Sequence, residues 1–187
     1  MSELRVKFSG YGGQGVILSA YIVGKATAIY DGKQASMTQA YGPEARGGAC
    51  SSQLVIDKKA INYPLVDTTD ILVALSQAGY DKFLPDLKNK GTLLYDNDLV
   101  SVVQDHSKYN ALAIPATRLA EELGKRIVAN IVMVGFVIAQ TKLASRESML
   151  RAIKESVPAK FIDLNLKAFE VGFNYKPSKR RKSGGKK

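Results

Sequence analysis

"FSGYGGQGV", residues 8–16, crowds Gly10, Gly12, Gly13 and Gly15 between two patterned segments. Upstream, Leu4, Val6 and Phe8 alternate with Arg5 and Lys7, the period of a strand. Downstream, "VILSAYIVGKATAIY" (16–30) repeats apolar residues every three or four positions, which predicts a buried helix. Gly10, Gly12 and Gly15 therefore satisfy G-x-G-x-x-G in a strand–loop–helix setting. Glycines there allow a tight turn and close backbone approach, and free N–H groups at a helix start attract phosphate. A tight turn that binds nothing is the alternative.

A dinucleotide-binding oxidoreductase needs more than the loop. It needs an acid at the end of the second strand, about 20 residues on, to hold the ribose hydroxyls. The second strand is predicted in "QASMTQAY" (34–41), which contains no acid and no arginine. Asp31 precedes it and Glu44 follows it. The usual nicotinamide-dinucleotide reading is disfavoured. A second glycine-rich segment comes next, "YGPEARGGAC" (41–50). Pro43 stiffens it, Gly42, Gly47 and Gly48 free its backbone, and Glu44 and Arg46 bring charge. The guanidinium fork of Arg46 suits phosphate or carboxylate. Pairing of Glu44 with Arg46 at a subunit interface is the competing use.

Farther along, "SSQLVIDKKAINYP" (51–64) reads as a hairpin turning near Asp57–Lys59. Strands are predicted at 70–76, 91–97 and 111–116, and helices from 77, 116, 127, 145 and 158. Pro115 suits the opening of one of these helices and Pro158 starts the last. Strands alternating with helices imply an α/β fold: a three-layer, Rossmann-like sandwich around a mostly parallel sheet. The hairpin is expected after the second glycine-rich loop. Residues 1–175 are expected to form one domain, followed by a disordered basic tail at 176–187.

That tail decides what the charge means. The net charge is +10, but seven positive residues and no acid lie in "KPSKRRKSGGKK" (176–187), leaving +3 for residues 1–175. Blocks of like charge stay solvated, and a tail without aromatics carries no nucleic-acid specificity. No specific nucleic-acid partner is expected. The longest apolar run, 127–139, is too short for the roughly 20 residues of a membrane span. No signal peptide is read at the N-terminus, and a cytoplasmic location is expected.

Cys50 and His106 are the only cysteine and histidine, so no metal or cluster site is expected within the chain. His106 reads as a surface residue, and Cys50 as a small buried thiol. Asp96 and Asp98 flank Asn97 in turn chemistry rather than as a metal pair. Ser76 stands where α/β crevices form, with helix capping as its alternative use. No catalytic set emerges.

"GYGGQGV", "YGPEARGGA" and "INYPLVDTTDILVALSQAGYDKFL", in that order, resemble the gamma subunit of 2-oxoacid:ferredoxin oxidoreductases. The wording of the third segment is most similar to the 2-oxoglutarate type. The resemblance implies a subunit of an enzyme complex, without catalytic residues of its own. Such complexes convert a 2-oxoacid and coenzyme A to acyl-CoA and carbon dioxide and reduce ferredoxin. They use thiamine diphosphate, magnesium and iron–sulfur clusters held by other chains. The implied partners are alpha and beta subunits, a delta subunit as a further candidate, and ferredoxin through the complex. By motif, Gly12, Gly13, Gln14 and Gly15 form a first loop, and Tyr41, Gly42, Glu44, Arg46, Gly47 and Gly48 a second. Both face either coenzyme A or a partner subunit.

Overall fold

A computed structural model describes residues 3–40, 49–61, 67–102 and 108–177. Its centre is a six-stranded sheet: β1 (Leu4–Tyr11), β2 (Gln34–Ala40), β3 (Ala49–Asp57), β4 (Thr69–Ala74), β5 (Leu87–Asp96) and β6 (Asn110–Ile114). Across the sheet the order is β2-β3-β1-β4-β5-β6. β1, β4, β5 and β6 pair in parallel, and β3 runs antiparallel to both neighbours, β1 and β2. Five strands point one way and one opposes them, so the sheet is mostly parallel as the alternation implied.

The strand sequences explain the layers. In β4, Ile71 and Val73 point to one face and Leu72 and Ala74 to the other, all buried. A strand covered on both sides has no reason to alternate with polar residues. The first face carries α1 (Val16–Lys25), α3 (Ala116–Glu122), α4 (Ala129–Thr141), α5 (Arg146–Ser156) and α6 (Ile162–Asn174). The second carries α2 (Gln77–Phe83) with Leu84, Leu87 and Val100. α1 continues as a π-turn over Ala26–Tyr30, completing the predicted 16–30 helix. The apolar run at 127–139 becomes α4, buried on nearly every side from Asn130 to Ile138. No helix among the described residues is long and apolar enough to cross a membrane.

The hairpin is placed differently from expectation. It is formed by β2 and β3, with Gln34 opposite Asp57 and Ala40 opposite Ser51, so it flanks the second glycine-rich loop instead of following it. Both edges of β3 are taken, by β1 and by β2, so no strand can fold back onto it after Asp57. Asp57 does turn the chain, accepting hydrogen bonds from the N–H groups of Lys58 and Lys59. The turn signal was local and correct. Strand pairing is a tertiary choice that the local signal does not carry.

Candidate functional site

The parallel strands end on one edge of the sheet, at Tyr11, Ala74, Asp96 and Ile114. After β1 the chain passes to α1 on the first face, and after the adjacent β4 it passes to α2 on the second. Where such neighbours diverge, α/β sheets open a crevice. Here it has a volume of about 270 Å³ and is walled by Gly13, Gln14, Leu75, Asp96, Thr117, Arg126, Ile127 and Asn130, among others.

The first glycine loop forms one wall. Gly15 caps α1 in the left-handed region (φ 70°), and a side chain there would collide with the Asn130 carboxamide. Its carbonyl accepts from the Ser19 N–H (2.9 Å), from the Ser19 hydroxyl (3.0 Å) and, more distantly, from Asn130 Nδ2 (3.4 Å). Gly12 and Gly13 are exposed, and a Cβ at either would meet nothing within 4 Å. Among the described residues, the N–H groups of Gly12, Gly13 and Gly15 find no acceptor. With the free first turn of α1 they make a fringe suited to an anion.

Gln14 turns inward. Its Oε1 accepts from the Tyr11 N–H at 2.6 Å, and its Nε2 donates to the Leu75 carbonyl at 2.8 Å. Opposite, Asp96 is fully buried. Burial pushes its carboxyl above the ordinary range, against the donors Thr117 and Asp98 N–H that favour its charge. Both its oxygens are engaged: Oδ2 by the N–H (2.9 Å) and hydroxyl (2.6 Å) of Thr117, Oδ1 by the Asp98 N–H (3.0 Å). Asp98 in turn accepts from the Arg118 N–H (3.0 Å). The two acids hold a turn, as their sequence suggested, and also take up N–H groups of the first turn of α3, which it did not. No group of three metal-ligating side chains occurs among the described residues.

Ser76 proves to be the cap of α2, accepting from the Gly79 N–H at 3.1 Å. Cys50 is buried, and burial pushes its thiol upward. Tyr41, Gly42, Glu44, Arg46, Gly47, Gly48 and His106 lie outside the described residues. The ends that carry the 41–48 segment are described, however. Ala49 pairs with Tyr11, and Ala40 pairs with Ser51, so both glycine segments spring from the same edge of the sheet.

Sequence reasoning missed Asn130 and Arg126. Asn130 is only 5% exposed, a carboxamide inside an otherwise apolar helix. Arg126 stands on the crevice rim, loosely paired with Glu121 at 3.8 Å. An amide buried in an otherwise apolar helix was the available signal for the first. Nothing local marked the second.

The family model for pyruvate ferredoxin/flavodoxin oxidoreductase matches residues 5–175. The chain belongs to the pyruvate ferredoxin/flavodoxin oxidoreductase family. It is 49% identical over 173 residues to the 2-oxoglutarate synthase subunit KorC of Methanocaldococcus jannaschii, covering 90% of this chain and 91% of that one. It is 44% identical to the KorC subunit of Methanothermobacter marburgensis, covering 89% and 93% respectively. The gamma subunit of a keto/oxoacid ferredoxin oxidoreductase from Geobacter sulfurreducens superposes with a TM-score of 0.84 at 41% identity, covering 92% of this chain and 95% of that one. The gamma-subunit assignment made from the glycine motifs therefore holds. The chain is part of an oxidoreductase complex, and complexes of this kind use thiamine diphosphate and iron–sulfur clusters.

The strand order gives a physical reason why a dinucleotide loop is not read here. Antiparallel β3 lies between β1 and β2, so the end of β2 is displaced by one strand from the glycine loop. An acid there would stand a strand spacing, about 4.8 Å, farther from a ribose than in the usual arrangement.

Proposed function

We propose that this chain shapes the coenzyme A side of a 2-oxoglutarate:ferredoxin oxidoreductase. The overall reaction is 2-oxoglutarate, coenzyme A and two oxidised ferredoxins giving succinyl-CoA, carbon dioxide, one proton and two reduced ferredoxins. Decarboxylation and electron transfer belong to thiamine diphosphate, with magnesium, and to iron–sulfur clusters on the alpha, beta and delta partners, in the cytoplasm. The present chain contributes binding and orientation.

The observation that carries this reading is the open N–H fringe at Gly12 and Gly13. Nothing in the described chain fills the space above them, while an anion-seeking helix start lies directly behind. Coenzyme A brings phosphates that fit such a fringe, and Arg126 on the rim and Arg46 in the second loop supply cations. The relatives named for 2-oxoglutarate synthase support the substrate class.

Arg46→Ala tests it. In the complex assembled with its partner subunits, the apparent KM for coenzyme A should rise about tenfold or more, as expected for one lost charged contact. Assembly, followed by size-exclusion chromatography, should be unchanged. A complex that fails to assemble would assign the loop to the subunit interface and overturn the coenzyme reading.

A further inference from the structure

Gln14 sits among glycines in the loop just described, which the resemblance sets against either coenzyme A or a partner subunit. Its geometry gives it a different role. We infer that Gln14 is a positioning residue that latches the glycine loop to the sheet and does not itself bind the coenzyme. The inference rests on the coenzyme A reading for its consequence, but not for its geometry.

Both ends of the Gln14 carboxamide face partners within the chain. The Tyr11 N–H can only donate and the Leu75 carbonyl can only accept, so the amide orientation is forced: oxygen to Tyr11, nitrogen to Leu75. The Gln14 N–H returns to the Tyr11 carbonyl at 3.1 Å, closing a small ring around the turn. Leu75 is itself tied to β1, its N–H donating to the Ser9 carbonyl at 2.8 Å. The side chain thus links the end of β1, the loop and the end of β4.

Gly10 supports the same reading. A Cβ on Gly10 would stand 2.7 Å from Gln14 Oε1, 2.9 Å from Val16 Cγ2 and 3.2 Å from Leu75 Cβ. The position is glycine because the latch and its anchor fill the space a side chain would need. Gly12 and Gly13, by contrast, lie outside the latch with nothing near them. Holding residues 11 and 14 fixed leaves those two N–H groups facing outward. A preorganised donor pair needs no reordering when an anion arrives.

Two variants of the full chain test this. Gln14→Ala removes both bonds. Gln14→Glu keeps the volume and an acceptor for Tyr11 but lacks the N–H for Leu75, so it keeps the test alive should the alanine variant fold poorly. Amide hydrogen exchange of Tyr11 and of residue 14 should accelerate about five- to tenfold, the factor that one net hydrogen bond is worth. In the assembled complex, the KM for coenzyme A should rise about tenfold with kcat held within about twofold, the pattern of lost binding rather than lost chemistry. Exchange at both amides within about twofold of wild type would overturn the latch. A raised KM with unchanged exchange would also overturn it, because Gln14 would then touch the coenzyme directly. Faster exchange with unchanged KM supports the latch and removes the coenzyme A reading instead.

Discussion

Gly12 and Gly15 stand three residues apart in one loop and are glycine for different reasons. Gly15 is required by the chain itself: its left-handed φ and the Asn130 carboxamide leave no room for a side chain. Gly12 has no positive φ and open space around its Cβ direction. Any requirement for glycine there comes from outside the described chain. Gly12→Ala should therefore leave stability within about 0.5 kcal/mol, the range of surface substitutions, as read by thermal melting. The same variant should raise the KM for coenzyme A severalfold in the complex. Wild-type kinetics would show that nothing approaches this position. The sequence displayed all four glycines alike, and a pattern match treats them as equals. Only the structure separates Gly10, which makes room for a latch, Gly15 and Gly13, whose left-handed φ (70° and 92°) turns the chain, and Gly12, which needs glycine for neither reason.

Among the elements, α4 and α6 show what composition hides. α4 is apolar on almost every side, so its pattern told of burial but not of its partner. In the fold, Gly135 of α4 lies against the Phe169 carbonyl, and Gly172 of α6 lies against the Val132 carbonyl. The two helices cross with backbone touching backbone, each supplying the glycine the other needs. Because the obstacle to a Cβ is main chain rather than a flexible side chain, the helices would have to move apart. Gly172→Ala is expected to cost about 3 kcal/mol, lowering Tm by roughly 6–12 °C in differential scanning calorimetry. Element positions were largely legible: the helices predicted at 16–30 and from 127 and 145 correspond to α1 with its π-turn, α4 and α5. Pro115 stands immediately before α3, where a proline opens a helix. The hairpin was not legible, because the turn residues at Asp57–Lys59 report a bend and not which strand lies alongside.

For the whole molecule, distant parts are tied by small polar junctions whose effect is pH-dependent. Asp31, just past the π-turn, accepts from the Ser145 N–H (2.8 Å), the Ser145 hydroxyl (3.0 Å) and the Ser148 hydroxyl at the start of α5. Burial alone would raise its carboxyl, but the hydrogen bonds from Ser148 and Ser145 outweigh it and hold the group below its ordinary value. A carboxyl depressed in the native state contributes stability that is full above the unfolded value, about 3.9, and lost as pH falls through the lower native one. Asp31→Asn should thus cost about 1 kcal/mol at pH 7, after screening of this partly exposed group. Urea titrations at pH 7 and pH 3 should show the gap to wild type narrowing on acidification; a constant gap would exclude the linkage. The sequence by itself determined the α/β class, the location of the glycine loops and the family, because these follow from local periodicity and from motifs read in order. The tertiary structure alone decided that β3 inserts beside β1, that Gln14 points inward, and that Asn130 and Arg126 reach the crevice. Those depend on which strands pair and on which side chains meet across 61 residues, as Gln14 and Leu75 do, or 115, as Asn130 and Gly15 do, contacts that no local pattern encodes.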